Sequence, residues 1–144
     1  MTFGNQPVNH EDEPMNSDNV DQIALALQRA GAHRRLMPYQ RFHALFVCQV
    51  PLAARYEALE RAVASLAQTT ALDYGVLLAL DNGLPGAEFF RRFRRNRYAD
   101  YLAVMGNGMH EQSLKRKRVL AAQERDRVFA DAERRAPPKS REAA

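Results

Sequence analysis

The segment EFFRRFRRNRYADYL, residues 88–102, carries the densest set of side chains in this chain that could do binding chemistry. It places five arginines within seven positions and sets three phenylalanines and two tyrosines among them. The planar guanidinium of arginine binds phosphate and carboxylate groups through paired hydrogen bonds. Only Glu88 and Asp100 oppose this charge within the segment. The composition therefore predicts a surface that binds an anion.

Helical geometry separates the two kinds of side chain in this segment. At about 100° per residue, the apolar residues share one stripe, and Arg91, Arg92 and Arg95 lie on the opposite arc. Arg94 lies at the edge of the stripe, and Arg97 falls inside it. The stripe contains Phe89, Phe90, Phe93, Tyr101, Val104 and Met105. We therefore expect most of the aromatic rings in the core, whereas a base-stacking platform needs exposed rings. Arg91, Arg92 and Arg95, followed by Arg94, are the predicted phosphate contacts.

A second basic run, KRKR, occupies residues 115–118. Four consecutive basic residues point all round a helix, so some of them must face solvent or a partner. Lys115, Arg116, Lys117 and Arg118 are therefore predicted nucleic-acid contacts, with an ordinary solvated run as the alternative. The apolar stripe of the surrounding helix is weak. This helix could extend from the core, pair with its copy in a homodimer, or become ordered on binding.

Catalytic and metal-binding patterns are missing from the sequence. No nucleophile elbow, phosphate-binding glycine loop or HExxH motif occurs. The four histidines form no pair spaced four residues apart, and we expect His43 to have a structural role. The single cysteine, Cys48, excludes an internal disulfide, and we expect it to be a buried, inert thiol. We therefore predict a protein that is not an enzyme and binds neither a cofactor nor a metal.

Charge is spread unevenly over the 144 residues, whose net charge is +4. Residues 1–21 contain five acidic residues and no lysine or arginine, whereas most of the basic residues follow later in the chain. Such asymmetry indicates an anionic partner. The sequence shows no secretory signal, no run of 18 apolar residues and one cysteine. These features predict a cytoplasmic protein without membrane contact.

Periodicity and breaker residues predict an all-α protein: a small domain of about five helices, a disordered acidic N-terminus and a long basic C-terminal helix. The predicted helices cover 19–31, 38–50, 52–67, 71–81, 86–105 and 109–135. Segment 38–50 could alternatively end in a short buried strand at LFVCQV. The predicted division of the chain is a disordered tail (1–16), a core domain (17–106), a basic helix (107–136) and a second disordered tail (137–144).

Residues 71–97 resemble a helix-turn-helix unit in outline. Ala79 supplies the small residue at the helix crossing, Gly83 the residue with positive φ in the turn, and Leu84 and Phe89 two core positions. The pattern departs from the motif at Arg92, where an apolar residue belongs. The resemblance covers about 20 residues and implies a DNA-binding role.

These features predict a non-enzymatic DNA-binding accessory or regulatory protein that contacts phosphates through arginine-rich helices. The alternative is a protein-interaction module, an adaptor in a bacterial assembly, whose basic surface binds an acidic protein partner. Plasmid maintenance or conjugative transfer is the setting that a small basic protein of this kind suggests.

Overall fold

The computed structural model describes residues 5–68, 71–107 and 113–137, with side chains from Asn19 onward. Within these ranges the structure has six α-helices, one 3₁₀ turn and a pair of two-residue strands. The order along the chain is α1 (Asn5–Ala32), β1 (Met37–Pro38), α2 (Tyr39–His43), α3 (Leu52–Leu66), the 3₁₀ turn (Tyr74–Leu77), β2 (Leu78–Ala79), α4 (Ala87–Asn96), α5 (Tyr98–Met105) and α6 (Leu114–Arg135). The predicted all-α class is confirmed.

Helix α1 packs between α3 and α6, and these three helices surround the 3₁₀ turn. Ile23 and Leu27 supply the buried face of α1, and Leu59 and Val63 supply that of α3. Helix α3 follows the prediction for 52–67 closely, because Pro51 caps its start and its apolar seam has helical spacing. None of the helices within the described ranges is long and apolar enough to cross a bilayer.

Helix α1 begins at Asn5, earlier than the start at residue 19 that the capping residues predict. Such residues favour a helix start but do not force one when the preceding chain also continues the helix. The described side chains of α1 begin at Asn19 and correspond to the predicted helix 19–31. The tail predicted to be disordered at 1–16 is helical in the structure from Asn5 onward. Residues 1–4 and 138–144 lie outside the described ranges, so disorder at these ends stays a prediction.

The α-helix predicted over 71–81 is wrong. This segment is a 3₁₀ turn followed by β2, which pairs in parallel with β1 through Met37–Leu78 and Pro38–Ala79. Its position at the centre of the core is as predicted, because Tyr74 and Leu77 are fully buried. A segment that is apolar on every side has no period, so burial alone cannot distinguish helix from extended chain.

The helix-turn-helix interpretation of 71–97 fails for the same reason, because the first helix of that unit is missing. Gly83 does adopt the predicted positive φ, at 87°. It forms a tight turn in which the Gly83 amide donates to the Leu80 carbonyl. The turn therefore connects an extended segment to α4 and does not join two crossing helices.

The helix predicted over 86–105 is broken at Arg97, where φ is −137° and ψ is 62°. Arg97 has the inward position expected from the stripe. Its Nη1 atom donates to Glu124 Oε2 at 2.6 Å and to the Ala71 carbonyl at 3.1 Å. These partners belong to distant parts of the chain, so the local periodicity of 86–105 could not predict the break.

Helix α6 is part of the core, and the sequence-based division at residue 107 is not a structural boundary. Leu120, Val128 and Ala132 are buried against the rest of the protein. Gly31 lies at the contact with α1, where an added Cβ atom would come within 2.8 Å of the Ala132 Cβ. Arg125 of α6 donates to three backbone carbonyls: those of Val76 in the 3₁₀ turn, Leu78 in β2 and Gly83 in the following turn.

Segment 38–50 contains the short helix α2 followed by turns, so the helix preferred from the sequence is right only for its first part. LFVCQV does not form the alternative strand. Cys48 is exposed, which corrects the expectation of a buried thiol. Phe42 and Phe46 supply the buried side of this region.

Candidate functional site

An open groove of about 700 Å³ lies where α4, α5 and the first turn of α6 meet. We call it the α4–α6 groove. Its lining consists of Ala87, Phe90, Arg91, Arg94, Arg95, Tyr98, Tyr101 and Lys117. Four of these side chains are basic and three are aromatic, and no carboxylate of the described residues belongs to the lining.

The amphipathic pattern of α4 explains how the arginines reach this groove. Phe89, Phe90 and Phe93 are buried, which turns the opposite side of the helix outward. Arg91 and Arg95 are exposed and are four residues apart, so they lie on one face about one helical turn from each other. Burial of the phenylalanines therefore fixes where the two guanidinium groups point.

Aromatic rings and cations are in contact along the groove. The guanidinium carbon of Arg94 lies 5.7 Å from the ring centroid of Tyr98 and 5.9 Å from that of Tyr101. Lys117 Nζ lies 5.4 Å from the ring centroid of Phe90. These distances are within the range of cation–π attraction, which orders the basic side chains.

One carboxylate among the described residues, that of Glu60, pairs with a cation of the groove. Arg95 donates to Glu60 Oε1 at 3.0 Å, and this pair is exposed to solvent. Arg91 takes part in no ion pair among the described residues. Neighbouring like charges raise the electrostatic potential of a concave surface, so this lining suits an anion better than a cation.

Arg92 does not belong to this surface, which corrects its prediction as a phosphate contact. Its side chain is 2% exposed. Nε and Nη2 donate to the two carboxylate oxygens of Asp73 at 2.8 and 2.9 Å, and Nη1 donates to Glu60. Burial alone lowers the pKa of Arg92, but Asp73, with Glu88 and Glu60, raises it above its usual value. Arg92 is therefore a buried cation that joins α4 to the core.

Gly75 makes room for this ion pair. A Cβ atom at position 75 would overlap the Arg92 guanidinium and would come within 2.9 Å of Asp73 Oδ1. The Gly75 amide also donates to Asp73 Oδ1 at 2.9 Å. The residues that surround Arg92 thus explain why a glycine stands in an otherwise apolar segment.

Two acidic residues of α6 are also buried. Glu124 accepts from Arg97 and from the Asp73 amide, the latter at 2.8 Å. Asp131 accepts from the Tyr74 hydroxyl at 2.6 Å. These contacts fix α6 against the 3₁₀ turn and hold Lys117 beside α4.

The KRKR run divides between the groove and the surface beyond it. Lys117 lines the groove, whereas Arg116 donates to the Val104 carbonyl at 3.2 Å and so links α6 to α5. Lys115 and Arg118 are exposed outside the lining. The groove therefore contains four of the eight predicted contacts: Arg91, Arg94, Arg95 and Lys117.

A second groove of about 690 Å³ lies on the other side of Arg91. Here the Tyr39 hydroxyl donates to Glu88 Oε1 at 2.6 Å and accepts from the Gly86 amide at 2.8 Å. Burial raises the pKa of Glu88. Burial, together with the charge of Arg55, lowers the pKa of His43. Three carboxylates, those of Glu57, Glu60 and Glu88, line the second groove, so it suits an anion less well than the first.

Sequence reasoning missed the exposed ring of Tyr98. This residue is 52% exposed and is the first residue of α5. Its exposure depends on the break at Arg97, which the local sequence does not signal. Among the described residues, no group of three or more His, Cys, Asp or Glu side chains is arranged so that it could hold a metal ion.

Comparisons with known proteins found no matching family model, no matching curated protein and no matching solved structure.

Proposed function

We propose that this protein binds nucleic acid, without catalysis, by placing backbone phosphates in the α4–α6 groove. The observation that supports this proposal is the lining of the groove, which has four basic side chains and no carboxylate from the described residues. DNA is the ligand that we propose to test first. The role in plasmid maintenance or transfer suggested by the composition stays a prediction.

The types of basic residue suit phosphate. Arg91 and Arg95 present guanidinium groups, whose planar donors match two phosphate oxygens at once. Lys117 adds a compact charge from α6 across the groove. Aromatic rings beside Arg94 and Lys117 restrict these two side chains, so less entropy is lost when they bind a phosphate.

The number of cations sets the expected affinity and its salt dependence. Each neutralised phosphate contributes about 0.7–0.9 to the slope of log K against log salt concentration. Four contacts predict a slope of about −3 to −4, so affinity falls roughly a hundredfold between 50 and 200 mM salt. Non-specific dissociation constants of this class are on the order of 10⁻⁴ to 10⁻⁶ M at physiological salt.

Fluorescence anisotropy with labelled duplex and single-stranded DNA at several salt concentrations tests the proposal. The variant Arg91→Gln/Arg95→Gln removes two groove charges and should lower the magnitude of the salt slope by about 1.4–1.8. The control Arg29→Gln/Arg35→Gln removes two exposed arginines outside the groove, with the same change in net charge. It should leave the slope nearly unchanged.

Absence of binding to either DNA at 50 mM salt would reject the proposal. Equal losses of DNA affinity and salt slope in the two double variants would reject it as well. Equal losses would mean that net charge, not the groove, attracts the ligand. An acidic protein partner would then be the remaining interpretation of the basic surface.

A further inference from the structure

We infer that the α4–α6 groove selects single-stranded over duplex nucleic acid, by stacking an unpaired base on the ring of Tyr98. This inference rests on the proposed function, since it assigns the form of nucleic acid that the same groove takes. It departs from the expectation that most aromatic rings of this region lie in the core and do not form a base-stacking platform.

Tyr98 differs from the other rings of the groove in its exposure. It is 52% exposed, whereas Phe90 and Tyr101 are 7% and 4% exposed. An exposed ring in a cationic groove offers a flat surface to any base, because every base has a π face. Tyr98 is therefore the one ring among the described residues of the groove that can stack on a ligand.

Arg94 holds this ring in place. Its guanidinium lies within 6 Å of the ring centroids of both Tyr98 and buried Tyr101. The exposed ring is thus linked through Arg94 to a ring that the core fixes. Arg94 acts here as a positioning residue.

Basic residues lie on both sides of the groove that contains Tyr98. Arg91 and Arg95 are on α4, separated by about 6 Å along the helix axis, and Lys117 is on α6. A volume of about 700 Å³ lies within the range of pockets that hold one small organic ligand, which is the size class of a nucleotide. The groove can therefore take a base together with its flanking phosphates.

Duplex nucleic acid makes poor use of this arrangement. Its bases are already stacked within the helix, and one of them can reach a side chain only after it is unstacked. A duplex would meet the basic residues but gain nothing from Tyr98. A single strand gains both the contacts with the basic residues and the stacking on Tyr98, because its bases are free to turn toward the protein.

Three labelled DNA probes test the inference by anisotropy at 50 mM salt: a 20-nucleotide oligothymidylate, an abasic strand of the same length, and a 20-base-pair duplex. The single strand and the abasic strand have similar backbones but differ in bases. The variants are Tyr98→Leu, which removes the ring, and Tyr98→Phe, which keeps it. Thermal unfolding of each variant verifies that the fold is intact.

We expect the wild-type protein to bind oligothymidylate at least about tenfold tighter than the abasic strand. Tyr98→Leu should remove most of this difference with an unchanged salt slope, and Tyr98→Phe should retain it. Duplex affinity should not respond to either substitution.

Equal binding of oligothymidylate and the abasic strand by the wild type would overturn the inference. A loss of affinity in Tyr98→Leu that is the same for all three probes would overturn it too. Either result leaves the proposed phosphate contacts in place. Failure of all three probes to bind would instead remove the proposed function, and the inference with it.

Discussion

The Arg92 guanidinium bridges carboxylates of three parts of the chain: Asp73 before the 3₁₀ turn, Glu60 on α3 and Glu88 on α4. A buried charge has lost its contacts with water and is stabilised by partners of opposite charge. Removal of one partner leaves the other charge buried without compensation. Arg92 therefore stabilises the fold, whereas Arg91 and Arg94 line the groove.

Arg92→Met should lower the free energy of unfolding by about 3–5 kcal/mol, because Asp73 would remain buried without its guanidinium partner. Arg91→Met, the matched control one residue earlier, should change it by less than about 0.5 kcal/mol, since Arg91 is exposed. Urea denaturation followed by circular dichroism measures both. Similar effects of the two substitutions would contradict the assignment of Arg92 to the core.

His43 gives the protein a pH-dependent contribution to stability. Its ring contacts Arg55 Nη1 at 3.3 Å and Tyr56 Oη at 3.5 Å, and its pKa is lowered from 6.5, chiefly by burial and then by Arg55. The unfolded state then binds a proton more readily than the folded state, so stability is lost as pH falls through about 6.5.

His43→Gln should therefore reduce the loss of stability between pH 7.5 and 5.5, because glutamine does not titrate in that range. Urea midpoints of the wild type and the variant, measured in parallel across this range, give the difference. If the two profiles ran parallel, the neighbourhood of His43 would not disfavour its protonated form.

At the scale of elements, the agreement between sequence and structure depends on where the deciding contacts lie. Helix α3 could be predicted because its apolar seam and Pro51 are local signals. The break at Arg97 could not, because Glu124 lies far along the chain. Arg92 directly precedes buried Phe93, but its burial depends on Asp73, which periodicity does not reveal.

The same distinction applies to the candidate site. Arg91 and Arg95 were predictable as outward residues of an amphipathic helix, Arg94 as a residue at the edge of its apolar stripe, and Lys117 as part of a basic run. The meeting of α4 and α6 was not predictable, because it depends on buried charges of α6. The exposed ring of Tyr98 follows from the break before α5 and was missed with it.

Helix α6 offers a test of its place in the core. Val128 is fully buried, whereas Val119 on the same helix is 42% exposed. Val128→Asp buries an unpaired carboxylate and should cost at least about 3 kcal/mol, enough to unfold a marginal domain. Val119→Asp should cost less than about 1 kcal/mol. Cooperative unfolding of Val128→Asp at the wild-type midpoint would show that α6 is a separate unit.

At the scale of the whole molecule, composition overstates the charge available to a partner. Arg92, Arg97 and Arg125 are committed to internal carboxylates or carbonyls. Other arginines pair at the surface, as Arg34 does with Glu133. The net charge of +4 is therefore a weak guide, and the clustering of cations in the α4–α6 groove is the more informative property.

The central claim is that this groove, and no other basic part of the surface, receives the nucleic acid. Titration of ¹⁵N-labelled protein with a short single-stranded oligonucleotide tests it most directly, because chemical shifts report contacts residue by residue. We predict perturbed backbone amide signals for Arg91, Arg95, Tyr98 and Lys117, and perturbed side-chain Nε–H signals for Arg91 and Arg95. The signals of Arg29 on α1 should change little. Perturbations centred on α1, or spread evenly over the exposed arginines, would contradict the account.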